Sequence, residues 1–147
     1  MVFGSDTMPL IEEEADKPPK RIALVAHDGR EKAIREWALW NKGLLVDHEL
    51  VGSERIGRAL RAVGVEVSVL EGGEAQQIGA LIADGEIDVL ILLWNPLARQ
   101  SPSVEVQELL SVAVRCNIPV ACNRASADHI VSSPLLRSDY MPPDDDL

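Results

Sequence analysis

Residues 88–94, DVLILLW, limit what this chain can fold into more than any other stretch. The run is too short to cross a membrane, which takes ~20 apolar residues. It also lacks the alternation of a strand with one wet face. A short continuous apolar run between polar neighbours reads as a strand buried on both faces, the kind that parallel sheets contain. We read it as the central strand. RIALVA (21–26) and IPVAC (118–122) are of the same type. DHELVG (47–52) and VEVSVL (65–70), the latter alternating apolar and polar residues, complete a set of strands.

The segments between these strands carry helix signals. In 30–42, REKAIREWALWNK, helical spacing groups Ile34, Trp37 and Trp40, with Gly43 as the stop. Ser53 is placed to cap a helix that runs to Val63 and ends on Gly64 in the left-handed conformation. EAQQIGALIADG closes on Gly85, residues 103–117 begin at the cap Ser103, and SADHIVSS (126–133) forms a last short helix. Strand and helix alternate through the chain, which predicts an α/β fold: a three-layer, doubly wound, five-stranded parallel sheet joined by right-handed crossovers. Ligands bind such sheets beyond the carboxyl ends of the strands. The loops that follow the strands therefore supply the candidate site residues, namely His27, Asp28, Ser53, Glu74, Gln76, Asn95, Asn123 and Ser126.

Each candidate has a structural reading beside the functional one. His27 can exchange protons near neutral pH, while Asp28 can instead cap the following helix. Ser53 at a helix start can hold phosphate together with backbone N–H groups, or act as an ordinary cap. The Gly-Lys-Ser/Thr ending of a P-loop is absent. Glu74 can be a base or a first-turn acid favoured by the helix dipole, and on local grounds the second is simpler. Asn95 emerges where the apolar run ends. Ser126 or Asp128 can cap the last helix. His48 and His129 fall off the ligand edge, and the His and Cys spacings form no metal set.

Charge narrows the partners. At −10 the chain lacks the clustered Lys and Arg of a nucleic-acid or anionic-membrane surface, so neither is expected as a partner. An anionic small molecule stays compatible, because a pocket can be locally positive. Aromatic residues are only 3%, so aliphatic side chains must build the core. Cys116 and Cys122 form no disulfide framework, and the N-terminus shows neither a basic stretch nor an apolar signal core. A cytoplasmic location is expected. Residues 1–19 and 138–147 read as acidic, Pro-containing tails around a domain at 20–137.

RIALVAHD, GALIADGEIDVLILLWNPL and NIPVACNRASADHIVSSP, in this order over roughly residues 20–134, resemble the methylglyoxal synthase family. The resemblance implies a methylglyoxal synthase-like fold and a homohexamer. It also implies conversion of dihydroxyacetone phosphate to methylglyoxal and phosphate through an enediolate, without metal or organic cofactor. His27 and Asp28 match the family's His-Asp pair, Gln76 and Gln77 its amide pair, and Asn123 and Ser126 its last motif. The sequence departs from the family at informative places. The family's loop reads Gly-Gly-Asp-Gln-Gln; here Ala75 stands where the aspartate base is expected and Glu74 lies one residue earlier. The threonine-rich phosphate loop becomes VGSERIG, Asn95 replaces an aspartate, and Glu31 stands for a lysine, with Lys32 beside it. As a lyase the chain would use Glu74, His27 and Asp28 for catalysis. Arg30, Lys32, Ser53, Gln76, Asn95, Asn123 and Ser126 would bind the substrate, with Arg55 as a further cation. The alternative is a non-catalytic domain of this type that binds a small polar or phosphorylated metabolite.

Overall fold

The structure is a computed structural model that describes residues 19–71, 74–99 and 101–143, with Glu74 placed by its backbone alone. The elements run β1 (Arg21–Ala26), α1 (Glu31–Trp40), α2 (Lys42–Leu45), β2 (Glu49–Gly52), α3 (Glu54–Arg61), β3 (Ser68–Val69), α4 (Glu74–Ala83), β4 (Val89–Leu93), α5 (Val104–Arg115), β5 (Val120–Ala121) and α6 (Arg124–Ser132). The five strands form one parallel sheet in the order β3-β2-β1-β4-β5. No helix among the described residues is long and apolar enough to cross a membrane.

Two clusters of buried side chains make this a three-layer protein. One face of the sheet presents Ile22, Leu24, Ile91 and Leu93 to Ile34 and Trp37 of α1, Ile56 and Leu60 of α3, and Ala127 and Val131 of α6. The other presents Ala23, Val25, Leu90 and Leu92 to Ile78 and Ile82 of α4 and Val106 and Leu109 of α5. The chain first winds outward from β1 to β3 with its helices on one face. It then crosses back to β4 and β5 with α4 and α5 on the other. Right-handed crossovers require that change of face when the direction of winding reverses.

The sheet's centre is β1, not β4. All five residues of β4 are buried, so the apolar run reports burial on both faces and not the central place in strand order. β4 is nonetheless interior, pairing with β1 from Ile22↔Val89 to Ala26↔Leu93 and with β5 on its other side. The strand expected over 65–70 shrinks to Ser68–Val69 at the sheet edge, where it pairs with β2 alone. A short edge strand leaves little unpaired backbone for another chain to add to.

Gly43 does not stop the first helix; it lies inside α2. The break comes at Asn41, only 8% exposed, whose Nδ2 donates to Trp37 O at 3.0 Å and to Asp128 Oδ1 at 2.9 Å. That side chain ends α1 and ties it to α6. Trp40, which helical spacing grouped with Ile34 and Trp37, is 83% exposed. At ~100° per residue, two steps of three drift ~120° off the buried face, and Ala38 and Asn41 fill it instead. Gly64 and Gly85 do close α3 and α4, at φ +79° and +76°. In both cases the residue after the glycine donates its N–H to a carbonyl five residues back, Val65 to Leu60 and Glu86 to Leu81. α5 ends the same way on Asn117 (φ +55°), two residues before the next strand segment's Pro119.

The C-terminal segment crosses the sheet's amino-terminal edge. Leu136 is buried, Lys20 Nζ donates to Tyr140 O at 3.0 Å, and Asn117 Nδ2 donates to Pro143 O at 2.8 Å. Beneath it lies half-buried His48, whose Nδ1 accepts the Lys20 N–H at 3.2 Å. Burial foremost, with Arg137 and Lys20 adding to it, holds the His48 pKa below its usual value against the opposing pull of Asp47 and Asp88. A histidine whose folded pKa is lowered favours the fold while both states are neutral, above ~6.5. That contribution is lost as pH falls from there through the lowered folded value. Wild type should therefore lose more stability between pH 7 and pH 5 than His48→Gln does, read from urea midpoints; parallel pH profiles would contradict this.

Candidate active site

The carboxyl edge of the sheet is where the candidate residues gather. Winding reverses between β1 and β4, so the crevice that doubly wound sheets use for ligands opens between the ends of these two strands. His27 follows β1 directly and its N–H donates to Leu93 O at 2.8 Å, extending the β1–β4 ladder by one rung. The His27 backbone is thereby fixed at the head of the crevice, beside the end of β4, from which Trp94 and Asn95 follow. Asp28 (φ +59°) and Gly29 (φ +82°) are both left-handed and turn the chain into α1. Asp28 is exposed and does not cap that helix. The N-cap is Arg30, with no side-chain hydrogen bond at the cap.

Two side-chain atoms in this turn are buried without a partner among the described residues, His27 Nδ1 and Arg30 Nε. Buried polar atoms are nearly always hydrogen-bonded. A pair of unmatched ones at the head of a crevice is what a polar ligand would complete. Lys32, in the first turn of α1, is exposed.

The neighbouring loop leads from β2 into α3. Gly52 is buried, and a Cβ there would lie 2.9 Å from Ile56 Cγ2 and 3.2 Å from Leu24 O. Only glycine lets α3 start so close to β1. Ser53 is the α3 cap, its Oγ accepting the Ile56 N–H at 3.3 Å. The positive end of a helix thus points at the same edge. Arg55 pairs with Glu31 at 3.9 Å, the arginine 74% exposed and the carboxylate 24%. This pair was not read from the sequence. The signal was present, since each residue lies in the first turn of a helix that follows one of two adjacent strands.

Asn95 is partly committed to its own turn, its Oδ1 accepting the Leu97 N–H at 2.9 Å. Beyond β5, Asn123 caps α6, accepting the Ser126 N–H at 2.9 Å. The last helix thus starts at Arg124, and neither Ser126 nor Asp128 caps it. Asp128 instead holds Asn41. Among the described residues the Asn123 amide N–H groups have no hydrogen-bond partner, and Ser126 is exposed. Cys122, between strand and cap, is half-buried, and burial raises its thiol pKa so that it stays neutral.

Two candidates do not join the crevice as simply. Gln76 lines a groove between α4 and α5 together with Ala75, Gly79, Glu105 and Arg115. Glu74 is the first residue of α4, and its side chain lies outside the described residues, as do Gly72 and Gly73. Ala75 is half-buried and packs on the cluster shared by α4 and α5, which accounts for an apolar residue where the family expects a carboxylate.

The chain matches the family model described as MGS-like domain over residues 37–122. It is 43% identical over 127 residues to the methylglyoxal synthase of Coxiella burnetii (strain RSA 493 / Nine Mile phase I), covering 84% of this chain and 89% of that protein. To the methylglyoxal synthase of Leptospira interrogans (strain Fiocruz L1-130) it is 40% identical over 126 residues, 82% of this chain and 84% of the relative. The crystal structure of methylglyoxal synthase from Elizabethkingia anophelis NUHP1 superposes with a TM-score of 0.80 at 34% identity, covering 88% of each chain.

Proposed function

The chain belongs to the methylglyoxal synthase family of MGS-like domains, and we propose that it is itself a methylglyoxal synthase. It is a carbon–oxygen lyase that converts dihydroxyacetone phosphate to methylglyoxal and inorganic phosphate. The observation that carries this reading is the identity of 43% to a methylglyoxal synthase over most of both chains, with His27, Ser53, Asn95 and Asn123 all at the carboxyl edge.

The reaction needs three things from the protein. A carboxylate must take a proton from the hydroxymethyl carbon, and we assign this to Glu74 at the start of α4. Hydrogen-bond donors must hold the enediolate as it forms; His27 and the Asn123 amide, on either side of Asn95, take that role. A cradle must hold the phosphate, for which Arg30, Lys32, Ser53 and the α3 amino end supply charge and N–H groups. The C–O bond to phosphate then breaks, the electron pair leaves with phosphate, and the enol that remains tautomerises to methylglyoxal. Asp28, exposed beside His27, is the third catalytic group and passes protons between the crevice and solvent. Gln76 and Ser126 complete the substrate contacts, with Gln76 turning from the α4–α5 groove to do so. Arg55, which pairs with Glu31 at 3.9 Å, is a further cation at this edge. We further place the enzyme in the cytoplasm as a homohexamer, by its likeness to the family.

Incubating the folded full chain with dihydroxyacetone phosphate and quantifying both products tests the assignment. Equimolar phosphate and methylglyoxal are expected. Products at the buffer rate would overturn it, and phosphate without the dicarbonyl would identify a phosphatase instead.

A further inference from the structure

At the edge of the sheet opposite the candidate active site lies a cavity of about 320 Å³. Pockets for small molecules start near this size and pair apolar walls with a few placed polar groups. Here Ile82, Ile118 and Leu136 are among the apolar walls, and the polar groups include Lys20, Asp88 and Tyr140. The polar groups are built into the fold. Lys20 immediately precedes β1 and Asp88 immediately precedes β4. The Arg21 N–H donates to Asp88 Oδ2 at 2.8 Å, and the Asp88 N–H donates to Arg21 O at 2.9 Å. Among the described residues Lys20 Nζ gives one hydrogen bond, to Tyr140 O on the crossing C-terminal segment, which also walls the cavity.

One ammonium, one carboxylate and an aliphatic wall select among ligands. A wholly apolar molecule would strip water from both charges and return nothing. A simple anion would satisfy Lys20 and be repelled by Asp88, and a simple cation the reverse. We infer that the cavity is a binding site for a free amino acid with a branched aliphatic side chain. The ligand's carboxylate meets Lys20, its ammonium meets Asp88, and its side chain packs against Ile82, Ile118 and Leu136. The site is distinct from the carboxyl edge and does not depend on the lyase assignment.

Calorimetric titration of the full chain with L-leucine tests this. Saturable one-to-one binding is expected, with Kd on the order of 1 mM or tighter. 4-Methylpentanoate lacks the ammonium and 3-methylbutylamine lacks the carboxylate; each should bind ~10-fold more weakly, as loss of a charged hydrogen bond dictates. Lys20→Met and Asp88→Asn should each weaken leucine binding by a similar ~10-fold, and Asp88→Asn retains an acceptor for the Arg21 N–H. Circular dichroism establishes that both variants are folded. No saturable heat with leucine overturns the inference. So does equal affinity for 3-methylbutan-1-ol, which would show a cavity that reads only apolar bulk. Leucine binding unchanged in both variants would place the ligand elsewhere and overturn it too.

Discussion

Glu74→Gln is expected to lower kcat for dihydroxyacetone phosphate by about 1,000-fold, within the ~10²–10⁴ that a positioned acid or base contributes, with little change in KM. The amide keeps the size and polarity of the side chain but cannot accept a proton. KM should hold, because phosphate binding rests on other groups: Arg30, Lys32, Ser53 and the amino end of α3. The substitution falls at the first residue of α4, where the loss of one acid near the helix dipole costs only ~0.3–1 kcal/mol. A large fall in kcat together with a native urea midpoint therefore isolates the chemical role. Retained kcat would remove Glu74 as the base.

Ile91→Ala should have the largest effect on stability, a loss of ~2–5 kcal/mol from a total that for domains of this kind is ~5–15 kcal/mol. Ile91 is fully buried in β4, in register with Leu24 on one side and Ala121 on the other. Both neighbours are backbone-paired strands, so the sheet cannot close around the missing atoms. The urea midpoint should drop with an unchanged slope. Trp40→Ala removes a far larger side chain, yet at 83% exposure it should move the midpoint by no more than ~0.5 kcal/mol in the monomer. Comparable losses in both variants would contradict the assignment of the core.

The contrast between those two residues shows what the sequence could and could not say. Burial on both faces writes itself into a strand as unbroken apolar residues, so β1, β4 and the layer order were legible. So were the local devices: the caps Ser53 and Ser103 and the left-handed closures Gly64 and Gly85 each need only their immediate neighbours. Features set by distant partners were not legible. Asn41 ends α1 because Asp128 is there to receive it, 87 residues on, and Gly43 accordingly has no stop to make. Strand order is a property of crossovers, so nothing in DVLILLW could place β1 at the centre instead. The short β3 follows from having one neighbour rather than from its composition.

The candidate site divides the same way. Topology alone brings His27, Ser53, Asn95 and Asn123 to one edge, because each follows a strand. The detailed use of those side chains depends on contacts that local patterns do not carry. Asn123 caps α6, Asn95 closes its own turn, and Glu31 meets Arg55 across two helices. The displaced acid also has a physical setting. Ala75 packs on the core shared by α4 and α5, a place that favours an apolar residue.

The most direct measurement follows the proton itself. Dihydroxyacetone phosphate carrying tritium on its hydroxymethyl carbon, mixed with the folded full chain, should release label to water at the rate at which phosphate appears. Glu74→Gln should release it ~1,000-fold more slowly, the loss expected for removing the base. Label lost equally fast from both proteins, or from neither above the buffer rate, would contradict the account.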